Sequence, residues 1–553
     1  MEEFSNIAAV LPRMAAERGA QVAIRCPGSR WRGGLARYDQ ALSYAQLETR
    51  SNAIAAGLAA HGLARGMRCA LMVRPTPEFF LLMFALFKLG AVPVLVDPGI
   101  PRKALKECLA ESDPEAFIGI PLAQAARKLL GWSPKARLVV TVGRRWFWGG
   151  PTLAEVERAG VHAPAALADT GADEAAAILF TSGSTGLPKG VVYRHRHFLA
   201  QVELLRAAFD MQPGGVDLPT FPPFALFDPA LGLSSIIPDM DPTRPARASP
   251  RKLHDAIRRF GVTQLFGSPA LIAVLAKYGA PLTGVKRITS AGAPVPADVV
   301  ARMRTLMDAD AQLWTPYGAT ECLPVAVIEA RELEQTRELT ERGAGTCVGR
   351  PVPPNRVRII GISDEAIGEW REGLELAQGK LGEITVSGPS TTDAYFRRPQ
   401  ATALAKIREL GADGVERIVH RMGDLGWFDD DGRLWFCGRK SQRVVIDATT
   451  TLYTEQVEPV FNVHPRVRRT ALVGIGERGA QRPVLCVEFE PGVKPAEHAQ
   501  LLAELEHIGQ GFAHTGRIDT FLVHPRFPVD IRHNAKIGRE LLASWAGKQL
   551  VKR

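Results

Sequence analysis

The sequence predicts an α/β protein in which parallel sheets are flanked by helices, followed by a β-rich subdomain and a small α+β C-terminal domain. Two observations predict this class. From about Leu42, segments whose apolar residues recur at helical spacing alternate with short apolar runs typical of buried strands. Strands that are apolar throughout and alternate with helices favour parallel sheets covered on both faces.

The elements follow in order along the chain. LSYAQLETRSNAIAAGLAAHGL, from Leu42, has helical spacing; MRCALMV is predicted as a strand, PEFFLLMFALFKLG as a helix and AVPVLVD as a buried strand. The alternation continues in AAAILFT, HFLAQVELLRAAF, VTQLFGS, PALIAVLAKYG and VKRITSAG. After Gly345 the pattern changes to shorter strands separated by Gly, Pro and Asp turns, which predicts the β-rich subdomain.

Size and composition indicate a folded enzyme of several domains, with 553 residues, 46% hydrophobic and 23% charged. A composition change at GRKS, residues 438–441, predicts an N-terminal domain of residues 1–438 and a C-terminal domain of residues 439–553. The net charge of +10 comes from basic residues found along the whole chain, which argues against nucleic-acid binding.

Location is predicted from what the sequence lacks. The most apolar stretch, residues 79–96, is interrupted by Lys88, Gly90 and Pro93, so no transmembrane segment is expected. The N-terminus has no basic segment followed by an apolar one, which predicts a cytoplasmic protein. Seven cysteines lie far apart without a CxxC pair, so we expect reduced, mostly buried thiols and no zinc site.

The motif TSGSTGLPKG, residues 181–190, follows the predicted strand AAAILFT. Its glycines allow successive backbone N–H groups to converge on an anion, its hydroxyls add donors, and Lys189 supplies a positive charge. A Walker A loop has glycine directly before its lysine, whereas Pro188 precedes Lys189 here. The sequence therefore predicts a phosphate-binding loop of another kind.

This loop resembles the signature of the adenylate-forming superfamily, which includes acyl-CoA synthetases, luciferases and peptide-synthetase adenylation domains. The resemblance extends over most of the chain and implies the superfamily fold, with a large N-terminal part and a small mobile C-terminal domain. It also implies ATP and Mg²⁺ as cofactors and a carboxylic acid as substrate. The loop residues implied to bind ATP are Thr181, Ser182, Gly183, Ser184, Thr185, Gly186 and Lys189.

Two later segments resemble the superfamily's adenine and metal site. SAGAPVP, residues 290–296, resembles the loop that closes on adenine and implies contacts from Ala291, Gly292 and Ala293. YGATE, residues 317–321, implies that Tyr317 with Gly318 stacks on adenine, Thr320 touches the α-phosphate and Glu321 holds Mg²⁺. An aromatic face suits adenine, and a hard carboxylate oxygen suits Mg²⁺.

Three further positions match functional residues of the superfamily. In MGDLGWFDDDGRLWFCGRK, Asp424 matches the aspartate that accepts both ribose hydroxyls, and Arg439 matches an arginine that reaches nucleotide oxygens. Lys536 in RHNAKIGREL matches the catalytic lysine that bridges the acyl carboxylate and ATP. Ser441 occupies the hinge position, where many relatives have Asp or Lys.

The region that receives the second substrate differs from that of thioester-forming relatives. Where they have a glycine-rich hairpin, this chain reads RVVIDATTTLYTEQVE, and its threonines add bulk that argues against a pantetheine tunnel. FPPFALFDPALG, residues 221–232, contains Phe224 and Phe227 without a histidine, which favours an apolar acyl pocket.

Together with RHNAK, these segments resemble the β-lactone synthetases of bacterial long-chain olefin biosynthesis. The resemblance implies that a long-chain β-hydroxy acid is activated as its acyl-AMP and that its own β-hydroxyl then closes a β-lactone. It also implies a complex with other olefin-biosynthesis enzymes.

Two alternatives stay open. A fatty acyl-CoA or acyl-carrier-protein synthetase would need a thiol route past the threonine-rich segment. A non-catalytic nucleotide-binding assembly subunit is disfavoured because the chain has the five charged residues Lys189, Glu321, Asp424, Arg439 and Lys536. His195 and His197, in YRHRHF, are predicted to belong to a basic, partly solvated helix start rather than to act as bases.

Overall fold

The structure is a computed structural model that describes residues 5–97, 99–164, 167–181, 188–529 and 537–551. Among these residues, no helix is both long and apolar enough to cross a membrane. The seven cysteines are free and buried, as the sequence predicts.

The strands, in chain order, are β1 (Val22–Cys26), β2 (Gln40–Ser43), β3 (Arg68–Met72), β4 (Val92–Val96), β5 (Ala116–Gly119), β6 (Leu138–Thr141), β7 (Ala175–Thr181), β8 (Lys189–Arg194), β9 (Val216–Pro219), β10 (Ser234–Ile236), β11 (Gln264–Gly267), β12 (Arg287–Ser290), β13 (Gln312–Ala319), β14 (Cys322–Glu329), β15 (Thr346–Pro351), β16 (Arg356–Ile360), β17 (Gly382–Ser387), β18 (Lys406–Leu410), β19 (Glu416–Phe428), β20 (Leu434–Arg439), β21 (Val444–Val445), β22 (Thr451–Leu452), β23 (Val467–Ile475), β24 (Arg482–Phe489) and β25 (Phe521–Val523).

The α-helices are α1 (Val10–Arg18), α2 (Tyr44–Ala60), α3 (Pro77–Leu89), α4 (Arg102–Ser112), α5 (Pro121–Leu130), α6 (Leu153–Gly160), α7 (His195–Phe209), α8 (Asp228–Leu231), α9 (Pro250–Phe260), α10 (Pro269–Tyr278), α11 (Ala297–Arg304), α12 (Ala330–Gln335), α13 (Arg337–Glu341), α14 (Pro399–Ala405), α15 (Thr454–Asn462), α16 (His498–Gln510) and α17 (Arg539–Val551). Short 3₁₀ turns lie at Ile7–Ala9, Phe224–Leu226, Pro245–Arg247, Lys440–Gln442 and Pro495–Glu497.

The first sheet has the strand order β6-β5-β3-β4-β7-β8 and is parallel except for β8, which is antiparallel to β7. Its helices include α3, which is buried over most of its length because its sequence is almost entirely apolar. The predicted alternation of strands and helices from MRCALMV to AAAILFT is confirmed.

The second sheet is continuous from the α/β part of the chain into the β-rich part. Strands β10, β9, β11, β12 and β13 are parallel neighbours, and β14, β15, β20, β19, β17 and β16 continue the sheet in antiparallel pairs. This arrangement places the hairpin between β13 and β14 at the change from parallel to antiparallel pairing. It also brings β19 and β20 into the same sheet.

The expectation of shorter strands after Gly345 is wrong for β19, which has 13 residues. Gly423 and Gly426 look like turn signals in the sequence but lie inside this strand. A Cβ at Gly426 would lie 2.3 Å from the Trp435 carbonyl oxygen, so glycine is required where β20 passes close by. The pairing register of β19 with β20 shifts between Leu425 and Gly426.

The C-terminal residues form a separate layer in which β23, β24 and β25 make a sheet and α15, α16 and α17 pack on it. Their apolar side chains form clusters of their own, around Phe461 and Leu505 on one side and Phe527 and Leu542 on the other. The predicted small α+β unit is confirmed. A hairpin of β21 and β22 precedes it, in the threonine-rich segment.

Candidate active site

The predicted phosphate loop connects β7 with β8, whose pairing sets Thr181 opposite Lys189. Ser182, Gly183, Ser184, Thr185 and Gly186 lie outside the described residues, as does the side chain of Thr181. Lys189 is described, and its Nζ lies 5.0 Å from the centroid of the Tyr395 ring. An ammonium at this distance from an aromatic face is attracted by the ring quadrupole.

Glu321 and Thr320 form the turn between β13 and β14. The Tyr395 hydroxyl donates a hydrogen bond to Glu321 Oε1 at 2.5 Å. Thr392 holds the Glu321 carbonyl through its backbone N–H at 2.9 Å and its hydroxyl at 3.0 Å. The Tyr193 hydroxyl donates to the Thr320 carbonyl. The backbone and the carboxylate of this turn are therefore oriented by Tyr193 of β8 and by Thr392 and Tyr395 in the segment between β17 and α14.

Tyr395 therefore links two predicted site residues, because its hydroxyl contacts Glu321 and its ring contacts Lys189. The side chain is only 7% exposed. Burial and the nearby Glu321 carboxylate raise the pKa of the Tyr395 phenol, so the hydroxyl stays protonated and acts as a donor. The sequence contains no sign of this role, since Tyr395 belongs to none of the motifs read there.

Beneath the turn lies Lys406, a buried lysine that donates to the Thr392 carbonyl and, at 3.2 Å, to the Thr392 hydroxyl. Burial lowers the pKa of the Lys406 ammonium to about 8, while the Glu321 charge opposes this shift. The contacts run from Lys406 through Thr392 to the Glu321 backbone. Lys406 and Thr392 therefore support the turn from behind, and the sequence reading missed both.

Asp424 and Arg439 are cross-strand neighbours in β19 and β20. Arg439 Nη1 lies 3.0 Å from Asp424 Oδ1, and the Tyr317 hydroxyl donates to Asp424 Oδ2 at 2.7 Å. Asp424 is 3% exposed. The neighbouring Asp424 charge raises the pKa of Arg439, and burial raises that of Tyr317. The fold thus joins Asp424 and Arg439, which the sequence placed in one segment, with Tyr317 from another.

Gly318 lies between Tyr317 and Thr320 at a point where the pairing of β13 with β14 is irregular. A Cβ at this position would lie 2.9 Å from the Cys322 carbonyl oxygen and 3.0 Å from Leu323 Cβ. A side chain would therefore push the two strands of the hairpin apart. The glycine of YGATE is explained by this close approach.

The predicted adenine loop begins where β12 ends at Ser290. Ala291, Gly292 and Ala293 follow, and Gly292 has φ +100°, a conformation that glycine adopts without strain. Ser290 Oγ is buried and has no hydrogen-bond partner among the described residues. A buried hydroxyl left in this way, beside the predicted adenine loop, is consistent with a polar ligand at the site.

Phe224 and Phe227 lie half-buried on the 3₁₀ turn before α8, with ring centroids 6.5 Å apart. Phe224 packs on Phe266 at 4.3 Å. Phe227 lies 6.2 Å from Phe198, which stacks on Tyr193 at 4.8 Å. Since the Tyr193 hydroxyl contacts the turn of Thr320 and Glu321, aromatic rings connect the predicted acyl pocket with that turn.

The expectation of a partly solvated helix start is wrong for His195 and His197, because both side chains are buried at the start of α7. His195 Nδ1 accepts a hydrogen bond from the Ile7 N–H at 3.2 Å, and His197 Nδ1 accepts one from the Arg194 N–H at 3.0 Å. Burial lowers their pKa values, to about 4 for His195 and about 3 for His197. The N-terminal segment covers a helix start that the local sequence presents as solvated.

The predicted hinge and catalytic lysine can be placed only in part. Ser441 is exposed in the 3₁₀ turn Lys440–Gln442, directly after β20. Lys536 lies outside the described residues. In the hairpin that follows, Asp447 accepts hydrogen bonds from the Thr449 N–H at 2.8 Å and its hydroxyl at 2.7 Å. These bonds fix the threonine-rich turn.

Comparisons with known proteins agree with this arrangement. The family model described as AMP-binding enzyme matches residues 11–396. The chain is 68% identical over 551 residues to the olefin beta-lactone synthetase of Xanthomonas campestris pv. campestris, covering 100% of this chain and 99% of the relative. It is 66% identical over 560 residues to the olefin beta-lactone synthetase of Stenotrophomonas maltophilia, with both chains fully covered.

A solved structure shares the fold over the same length. The crystal structure of ATP-bound MatB from Rhodopseudomonas palustris superposes with a TM-score of 0.76 at 21% identity, covering 98% of this chain and 99% of that one. The family match, the two full-length relatives and the shared fold lead to one conclusion. The chain belongs to the AMP-binding enzyme family and, within it, to the group of the olefin beta-lactone synthetases.

Proposed function

We propose that this enzyme uses ATP to activate a long-chain 2-alkyl-3-hydroxy acid as its acyl-AMP and then closes the acyl group to a β-lactone, releasing pyrophosphate and AMP. The observation that carries the proposal is 68% identity along the whole chain with a relative named olefin beta-lactone synthetase. The grouping of Lys189, Glu321, Asp424 and Arg439 around Tyr317 and Tyr395 supports the adenylating step.

In that step the substrate carboxylate attacks the α-phosphorus of ATP and pyrophosphate leaves. Lys189, the loop before it and Lys536 counter the negative charge that converges there. Tyr317 stacks on adenine beside the loop of Ala291, Gly292 and Ala293. Asp424 accepts the ribose hydroxyls, as a carboxylate with about four acceptor sites can.

Glu321 fits Mg²⁺ as a hard oxygen ligand that is already oriented by Tyr395 and Thr392. Among the described residues no group of three or more His, Cys, Asp or Glu side chains could hold a metal. A single carboxylate such as that of Glu321 matches Mg²⁺, which is commonly bound by one or two carboxylates together with substrate phosphates. When bound, the ion would supply charge neutralisation at the phosphates.

In the second step the β-hydroxyl oxygen bonds to the acyl carbonyl carbon, the bond from that carbon to AMP breaks, and the hydroxyl proton is released to water. The aromatic pocket around Phe224 and Phe227 holds the alkyl chains so that hydroxyl and carbonyl stay in near-attack geometry. The threonine-rich hairpin after β20 lacks the glycines that would admit a pantetheine arm. Both features favour the internal hydroxyl over an external thiol.

Between the steps the C-terminal domain, residues 439–553, turns about Ser441 relative to residues 1–438. The exposed position of Ser441 directly after β20 and the separate apolar clusters of the small domain support this boundary. We place the enzyme in the cytoplasm, where its cosubstrate ATP is made. We also infer an association with other olefin-biosynthesis enzymes, which would supply the hydroxy acid and consume the lactone.

The test incubates the protein with ATP, Mg²⁺ and a long-chain 2-alkyl-3-hydroxy acid, with and without CoA, and identifies the lipid product by NMR. We expect β-lactone and AMP in equal amounts, independent of CoA, and no lactone from the Lys536→Ala variant. A thioester that forms only with CoA would favour the acyl-CoA synthetase instead. Absence of AMP release under every condition would favour a non-catalytic nucleotide-binding subunit.

A further inference from the structure

One segment of the chain has a charge balance unlike the rest. Residues 121–150 contain six basic residues and no Asp or Glu, so this 30-residue segment carries +6 of the net +10 of the whole chain. The basic residues are Arg127, Lys128, Lys135, Arg137, Arg144 and Arg145. Although basic residues occur along the whole chain, more than half of the excess positive charge is thus concentrated here. We call residues 121–150 the basic segment.

The basic segment also exposes large apolar side chains. On α5, Leu122 is 67% and Leu129 is 77% exposed, and in the loop after β6 Trp146 is 54% and Phe147 is 67% exposed. Leu122 and Leu129 are seven residues apart and therefore lie on the same face of α5. An exposed apolar set of this kind, within a basic surface, marks an interaction site.

The fold collects these side chains at one end of the first sheet, where β6 is the edge strand. A Cβ at Gly143 would lie 3.8 Å from Pro121, which places the base of the loop beside the start of α5. Trp148 is buried and anchors the loop by donating its indole N–H to Thr141 Oγ1 at 2.9 Å. Trp146 and Phe147 pack against Trp148, with ring centroids 5.2 Å and 5.0 Å from the Trp148 ring.

Neighbouring acids neutralise only part of the charge. Lys135 pairs with Asp113 at 2.9 Å, and Arg145 lies 3.3 Å from Glu155. Both of these basic side chains are largely exposed. Among the described residues, ion pairs thus involve two of the six basic side chains, so positive charge is left in excess around Trp146 and Phe147.

We propose that the basic segment docks the protein on an anionic lipid surface. Trp and Phe side chains insert at the level of the headgroups, and adjacent Lys and Arg side chains contact the phosphates. Trp146 and Phe147, exposed in the loop after β6 and directly following Arg144 and Arg145, supply both kinds of side chain. The proposal does not depend on the proposed reaction, although a membrane is where a long-chain acid would be dissolved.

The test is cosedimentation of the full chain with vesicles of phosphatidylcholine alone or with 30% phosphatidylglycerol, at low and high salt. We expect binding to the anionic vesicles that weakens as salt rises, and little binding to the neutral ones. The double variant W146S/F147S should lower the partition coefficient roughly tenfold or more. The double variant K128Q/R144Q should lower it by about tenfold on anionic vesicles alone.

The matched control is L410S/V415S, which removes two exposed apolar side chains from the turn of the β18–β19 hairpin in the second sheet. It should bind vesicles as the wild type does. AMP release should be unchanged in all three variants, because none of these residues lies in the proposed site, and thermal unfolding shows that each variant is folded at the assay temperature. Absence of vesicle binding by the wild type would overturn the proposal, as would equal binding by the control and the two basic-segment variants. Either result would leave an acidic protein surface as the occupant.

Discussion

Tyr395 offers the sharpest test of the site, because one side chain makes two separable contacts. Its hydroxyl donates to Glu321 Oε1 at 2.5 Å, and its ring centroid lies 5.0 Å from Lys189 Nζ. Tyr395→Phe removes the first contact and keeps the second. Tyr395→Leu removes both. The pair of variants therefore measures the orientation of Glu321 and the placement of Lys189 independently.

The expected sizes follow from the chemistry of each contact. A hydrogen bond to a charged group is worth about 1.5–3 kcal/mol, and about 1.4 kcal/mol is tenfold in rate. Tyr395→Phe should therefore lower kcat/KM for acyl-AMP formation roughly 10- to 100-fold if Glu321 acts only when oriented. Loss of the ring contact with Lys189 adds about 0.5–2 kcal/mol, a further factor of roughly 2 to 30 in Tyr395→Leu.

The assay follows pyrophosphate release at varied ATP and Mg²⁺. Tyr395→Phe should raise the Mg²⁺ concentration needed for half-maximal rate, because Glu321 is the proposed ligand, and Tyr395→Leu should in addition raise the KM for ATP. Tyr278→Phe is the matched control, since Tyr278 is 46% exposed on α10 and should leave both values unchanged. A Tyr395→Phe variant within twofold of the wild type would refute the reasoning.

Three further predictions concern buried carboxylates and their partners. Asp424→Asn weakens the acceptor proposed for the ribose and should raise the KM for ATP roughly tenfold; an unchanged KM would contradict that role. Arg421→Met breaks a buried ion pair of 2.6 Å with Glu383 and should lower the free energy of unfolding by about 3–5 kcal/mol in urea titration, whereas a loss below about 1 kcal/mol would count against the pair. Burial raises the pKa of the Asp217 and Asp228 carboxyls, to about 7 for Asp228. The Asp228 charge adds to the rise for Asp217. The folded state then keeps a proton that the unfolded chain releases above about pH 4, so the free energy of unfolding falls as pH rises from about 4 to 7. Asp217→Asn removes one of the two raised carboxyls and should flatten this fall, whereas the same slope in the variant would contradict the raised pKa of Asp217.

Much of the fold was predictable because the strands of the first sheet are short apolar runs that alternate with helices. The place of a motif in the fold was predictable where its residues determine the local backbone. In YGATE, for example, Gly318 is required by the tight hairpin. The meeting of Tyr317, Asp424 and Arg439 also fits the roles that the resemblance implies for them. Their roles in binding a nucleotide remain predictions.

The supporting residues could not be predicted, because only the fold brings them together. Tyr395 and Thr392 lie more than 70 residues from Glu321 in sequence, and Lys406 reaches the turn only through Thr392. Nothing in a local pattern distinguishes Lys406 from a solvated lysine. The burial of His195 has the same origin, because its partner Ile7 lies 188 residues earlier in the sequence.

The central claim is that the acid is activated at its carboxylate and that its own hydroxyl then displaces AMP. The most direct measurement uses substrate with ¹⁸O in both carboxyl oxygens, followed by mass spectrometry of both products. Attack through acyl-AMP predicts that AMP gains one ¹⁸O and the β-lactone keeps one. A lactone that keeps both labels, with unlabelled AMP, would show that the hydroxyl is activated instead and would contradict the account.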